Sequence, residues 1–114
     1  MNEIIIKYKG RKIKFNVRKA KGLNRIFGLM FRSKKTGNLL FEFDKDVKIS
    51  FHSLFVFFPF LILFLDGENK VIDYEIVRPF KFWVDCRKSF KKVIEIPLND
   101  KNKEIISFFR RGKI

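Results

Sequence analysis

Polar and apolar residues alternate along the first two runs of the chain. Over residues 12–18, Ile13, Phe15 and Val17 fall on one side, and Lys12, Lys14, Asn16 and Arg18 on the other. That is the period of a strand with one buried face. With residues 3–9 ahead of it, the pattern predicts a β-hairpin. Gly10 supplies the positive φ of a two-residue primed turn, with Lys9-Gly10 or Gly10-Arg11 as its central pair. Further on, Leu23, Ile26, Phe27 and Met30 follow the i, i+3, i+4, i+7 spacing of a buried stripe and predict a helix over residues 23–31. Gly28 inside it costs about 1 kcal/mol against alanine, which points to close backbone packing or an early helix end.

Residues 39–43 read as a short strand, closed by a polar turn at Asp44-Lys45-Asp46. The most apolar part follows, over residues 47–65. Its unbroken stretch, 54–65, is 12 residues, short of the roughly 20 of a membrane-spanning helix. Pro59 divides it into two strands, or bends one strand, buried on both faces with Phe57 and Leu63 inside. Asp66-Gly67 marks a turn, and residues 70–77 alternate again, with Ile72, Tyr74 and Ile76 opposite Asp73 and Glu75. Residues 80–91 form a basic-aromatic loop, residues 92–97 a strand with Ile94 buried, and residues 104–110 a last strand. The expectation is a single domain over residues 1–114. It is mainly β, a small antiparallel-rich barrel or sandwich with one short helix, and α+β by a strict count.

Charge changes this picture most. The 114 residues carry 26 basic and 12 acidic side chains, a formal net charge of +14. Residues 1–35 hold 12 basic and 1 acidic side chain, residues 36–76 hold 3 and 7, and residues 77–114 hold 11 and 4. Such a surplus steers phosphate-rich partners, nucleic acid or another polyanion, toward the chain. Abundant Lys, Ile and Phe with no Gln also fit an AT-rich coding bias, which inflates lysine without selecting a partner. The two explanations part on the hairpin. There Lys7, Lys9, Lys12, Lys14 and Arg18 would share one exposed basic face, and like charges opposite each other are unfavourable unless an anion relieves them. The runs Phe80-Lys81-Phe82-Trp83 and Phe108-Phe109-Arg110-Arg111 resemble stacking platforms for single-stranded nucleic acid. Core burial is the ordinary use of so many phenylalanines.

Catalytic signals are weak. His52 is the sole histidine, and a hydrogen-bonded structural role is the ordinary reading for it. Cys86 has no partner for a disulfide and, with no leader-like opening, fits a reducing cytoplasm. No zinc-type spacing, glycine-rich phosphate loop or nucleophile elbow is present, so neither a metal nor a cofactor is expected.

The run Gly28-Leu29-Met30-Phe31-Arg32, followed by Leu40-Phe41-Glu42-Phe43, the apolar segment ending at Asp66, and Val93-Ile94-Glu95-Ile96-Pro97, resembles the domain of unknown function 192 family. Residues 49–59 are similar to its archaeal branch. The resemblance covers residues 19–114 and implies a small β-rich fold without an established activity. It also marks Arg32, His52 and Glu95 as ligand-binding candidates. Leu61 stands where the family has Asp, and Leu98-Asn99 where it commonly has Gly; loss of that Asp would alter any polar pocket it helps to form. A non-enzymatic binding domain for an anionic partner is the leading expectation. An enzyme or small-ligand domain around Arg32, His52 and Glu95 is the alternative, and a structural or protein-interaction role the third.

Overall fold

The computed structural model describes residues 2–20, 28–29, 32–33, 35–53, 55–81 and 83–111. Six strands form one curled mixed sheet: β1 (Asn2–Tyr8), β2 (Arg11–Lys19), β3 (Leu39–Val47), β4 (Phe60–Leu65), β5 (Val71–Val77) and β6 (Phe90–Pro97). Their order across the sheet is β1-β2-β3-β6-β4-β5. All neighbours are antiparallel except β2 and β3, which meet in parallel at Arg18–Leu39 and Lys19–Leu40. The curl brings the outer strands back toward each other. The Lys7 N–H donates to the Asn69 carbonyl at 2.9 Å, and Lys7 forms a parallel bridge with Lys70. The result is a half-barrel, as the alternating runs predict.

The hairpin settles between its two possible turns. Tyr8 pairs with Arg11, so Lys9 (φ 48°) and Gly10 (φ 78°) are the central residues, both left-handed as a primed turn demands. Lys7 therefore faces Lys12.

The centre of the sheet is buried on both sides, and this explains the long apolar run. Along β4, Phe60, Ile62 and Phe64 point into one apolar cluster with Leu39, Phe41, Phe90 and Val93. Leu61, Leu63 and Leu65 point into a second, with Ile4, Ile6, Val17, Ile94 and Ile96. Loops cover the first cluster, and a C-terminal helix covers the second.

That helix, α1 (Lys103–Arg111), replaces the strand expected over residues 104–110. Ile105, Ile106 and Phe109 lie on one stripe and are all buried in the second cluster. The Asn99 side chain accepts the Lys101 N–H at 3.0 Å and opens a 3-10 turn, Asp100–Asn102, that leads into the helix. Asn102 is buried and donates to the Pro97 carbonyl at 2.8 Å, tying this entry to the end of β6. The helix expected over residues 23–31 lies outside the described residues apart from Gly28 and Leu29, which form a turn.

Three further expectations are corrected. The polar turn at Asp44-Lys45-Asp46 is strand instead: β3 runs on to Val47 through a register shift after Glu42. Before Pro59 the chain is loop among the described residues, with one bridge between Phe51 and Val84. His52 accordingly lies on a loop and not within a strand. Phe57, expected in the core, is 60% exposed. Its neighbours Val56 and Phe58 take the inward positions, and Leu63 and Ile94 are fully buried as expected.

The two loops over the first cluster are joined by Ser53, which is fully buried. Its Oγ donates to the Arg78 carbonyl at 2.7 Å and accepts the Lys81 N–H at 2.6 Å. Its carbonyl accepts the Phe80 N–H at 2.9 Å. Ser53→Ala strips two backbone groups of their partner and is expected to cost about 1–3 kcal/mol in urea unfolding. An unchanged midpoint would show that water replaces the hydroxyl.

Candidate functional site

Two of the three polar residues marked by family resemblance meet at one turn. Glu95 sits on β6 opposite Leu39 of β3 and Ile62 of β4, so its side chain lies on the face of the first cluster. It is 5% exposed. One carboxyl interaction is with the backbone N–H of Leu29; Oε1 has no hydrogen-bond partner among the described residues. Burial pushes its pKa up to about 8, against the pull of that single N–H. The turn against it explains Gly28. Here φ is +53°, and a Cβ would stand 2.8 Å from Glu95 Oε1 and 3.4 Å from Phe41 Cζ. Arg32 closes the same turn by donating from Nε to the Gly28 carbonyl at 3.1 Å. Gly28 thus links Arg32 to Glu95.

His52 is exposed, beside Phe51, whose ring packs on Phe41, Phe64 and Phe90 at 6.1 Å each. Leu61, in the place of the family's Asp, is fully buried in the second cluster, on the sheet face opposite Glu95. An Asp there could not share a pocket with Glu95, so this substitution leaves the Glu95 side untouched.

The hairpin presents a different surface. Lys7, Lys12, Lys14 and Arg18 are exposed on the outer face, while Lys9 stands at the turn. Lys14 Nζ lies 3.4 Å from Glu3, an exposed pair of little energetic weight. Where the hairpin tip meets α1 there is an open groove of about 640 Å³ lined by Tyr8, Lys9, Arg11, Lys103, Ser107 and Phe108, with Glu104 as its one carboxylate. Tyr8 and Phe108 meet edge to face at 6.0 Å. Lys9 Nζ lies 5.4 Å from the Tyr8 ring, and the Arg11 guanidinium 5.8 Å from that of Phe108. Two cations thus lie against the two aromatic rings, and a third, Lys103, lines the groove while paired with Asp100 at 3.6 Å. Sequence reasoning missed this groove because its halves lie about ninety residues apart and its far half was read as a strand. The i, i+1, i+4 spacing of Ile105, Ile106 and Phe109 was the available signal.

Cys86 is buried, which pushes its thiol pKa up and removes the condition for a reactive thiolate. Among the described residues, no three His, Cys, Asp or Glu side chains cluster in a way that could hold a metal. No described helix is long and apolar enough to cross a membrane.

Comparison with known proteins identifies relatives of the chain and of its fold. The chain is 34% identical over 92 residues to a UPF0127 protein of Pyrococcus furiosus, covering 78% of each. It is 30% identical over 77 residues to a UPF0127 protein of Pyrococcus abyssi, covering 67% of this chain and 65% of that one. Both relatives are archaeal. Two crystal structures share the fold. One is a Sinorhizobium meliloti 1021 protein provisionally assigned as a transcription regulator (TM-score 0.73, 21% identity, 90% of this chain and 83% of the other). The other is a Novosphingobium aromaticivorans protein of unknown function (TM-score 0.71, 16% identity, 90% and 76%). The model of the uncharacterised family DUF192 matches residues 4–106, a span that includes the hairpin as well as the Gly28 and Glu95 motifs, and the chain belongs to that family.

Proposed function

We propose that this domain is a non-enzymatic binding module for an anionic partner, and that the partner is single-stranded nucleic acid. The observation that carries the reading is the groove between the hairpin tip and α1, where Lys9 and Arg11 lie against the half-buried rings of Tyr8 and Phe108 and Lys103 lines the same groove. Cations along a groove neutralise phosphates, and aromatic rings accept bases with little regard to sequence. The outer hairpin face extends the same field, and its facing pair Lys7–Lys12 gains from a phosphate between the two charges.

Lys7→Glu tests the reading without threatening the fold. It turns a repulsive cross-strand pair into an attractive one, so stability holds or rises by a few tenths of a kcal/mol while affinity falls. In anisotropy titrations with single-stranded oligonucleotides at several salt concentrations, binding is expected to be weak, sequence-tolerant and steeply salt-dependent. Each of Lys7→Glu and Arg11→Ala should lower the salt slope by about 1. No binding at low salt, or binding indifferent to both variants, returns the charge to coding bias.

One observation favours a second reading, a small-ligand site on the opposite side of the sheet. Among the described residues Glu95 Oε1 is buried without a partner, beside the turn that Arg32 closes. A ligand offering a hydrogen-bond donor at that point would satisfy it.

A further inference from the structure

Among the described residues, the two loops joined by Ser53 carry the most exposed large apolar side chains: Phe55 (48% exposed), Phe57 (60%), Phe80 (51%) and Trp83 (67%). Phe57 and Phe80 meet across the loops edge to face at 5.5 Å. Phe55 and Phe80 have φ values of 62° and 63°. Bulky residues rarely occupy the left-handed region. Here both hold that strained backbone and still present much of their side chains to water. The same loops carry Lys48, Arg78, Lys81, Arg87 and Lys88, all exposed, with one carboxylate of their own, Asp85, and with Lys81 paired to Glu75 of β5.

Exposed aromatic side chains on loops rich in exposed cations match an anionic lipid surface, where rings enter the headgroup–acyl boundary and Lys and Arg meet the phosphates. We propose that these loops dock the domain peripherally on anionic membranes. Stacking of nucleic acid bases is the less suitable use. The Phe57–Phe80 pair is packed ring edge to ring face, with an interplanar angle of 75°, and so forms a compact apolar wedge instead of a row of parallel faces. The patch is also distinct from the hairpin groove. It follows the Val77 end of β5, whereas the hairpin meets the chain just before Val71.

Trp83 is the sole tryptophan and reports directly on the patch. With vesicles of phosphatidylcholine and phosphatidylserine, its emission should shift to the blue and the protein should sediment with the vesicles. Phosphatidylcholine alone, or high salt, should weaken binding at least tenfold. Phe55→Asn with Phe57→Ser should weaken it by roughly tenfold or more, since two large apolar side chains no longer leave water. Because Phe55 and Phe57 are exposed and Asn tolerates the left-handed region, the thermal midpoint should not move. If it falls, Phe57→Ser alone serves as the variant. Lys7→Glu, at the other end of β5, should leave vesicle binding unchanged, so failure of this proposal and failure of the hairpin reading are separate results. An absent blue shift, equal binding to both vesicle types, or a Trp83 response to single-stranded oligonucleotide in place of vesicles overturns it.

Discussion

Glu95→Gln raises the unfolding free energy at pH 8–9 by several kcal/mol and leaves it nearly unchanged at pH 5. Glu95 is buried, with its pKa pushed from an ordinary 4.5 to about 8 by desolvation. Between those values the unfolded chain has released the proton that the native chain retains. Stability contributed by the neutral carboxyl is therefore fully present below about pH 4.5. It is lost as pH rises toward about 8, beyond which the loss is constant. A gap of this size corresponds to roughly 4–5 kcal/mol. Glutamine keeps the shape and an acceptor for the Leu29 N–H but cannot ionise, so its curve lacks this decline. Urea unfolding of both proteins from pH 5 to pH 9 measures the difference directly. Parallel curves would mean that the carboxyl is solvated or paired, and would also remove the main support for a ligand site there.

Gly28→Ala is expected to cost about 2–4 kcal/mol. A residue with a Cβ in the left-handed region is about 1 kcal/mol or more less favourable than glycine. Here the added carbon also stands 2.8 Å from a buried carboxylate oxygen on the central strand β6 and 3.4 Å from a core ring. Glu95 must then leave its rotamer or lose the Leu29 N–H, and neither is inexpensive in a packed interior. For a domain of this size the thermal midpoint falls by roughly 10 °C or more. A Glu95→Ala background isolates the collision, because without the carboxyl only the backbone strain at Gly28 remains. The two substitutions should couple by more than 1 kcal/mol. Simple additivity would place the whole effect in the backbone and separate the turn from Glu95.

Strands with one wet face were legible because alternation has one interpretation: the hairpin and β5 follow their patterns within two residues at each end. Where both faces are buried, periodicity carries less. Residues 47–65 read as two strands, or one bent at Pro59, yet among the described residues after Val47 only Phe60–Leu65 forms a strand of the sheet, and the alternation around Phe57 places it in solvent between two inward neighbours. Glu104 to Arg110 contains four apolar residues in seven, a count that suits either a strand or a helix. Asn99, the 3-10 turn and burial against the second cluster decide for the helix, and the last of these is tertiary. The candidate site divides the same way. Glu95 and Arg32 stood out through family resemblance alone. Gly28 was visible as an anomaly inside a helical pattern, but the carboxyl it must clear lies 67 positions further along the chain.

The strand order has a consequence for how the chain becomes this structure as it is synthesised. The strand that joins the two halves of the sheet, β6, is the last in sequence, and it inserts between β3 and β4. Until residues 90–97 leave the ribosome, the β1–β2 hairpin and the β4–β5 hairpin can each form, but among the described residues the single bridge of Lys7 with Lys70 is all the backbone pairing that connects them. Both present unpaired edges, and β4 presents an apolar one on either face. The nascent chain therefore holds this apolar segment unpaired on one edge from the synthesis of β4 until β6 follows it, and the sheet closes in one late, long-range step.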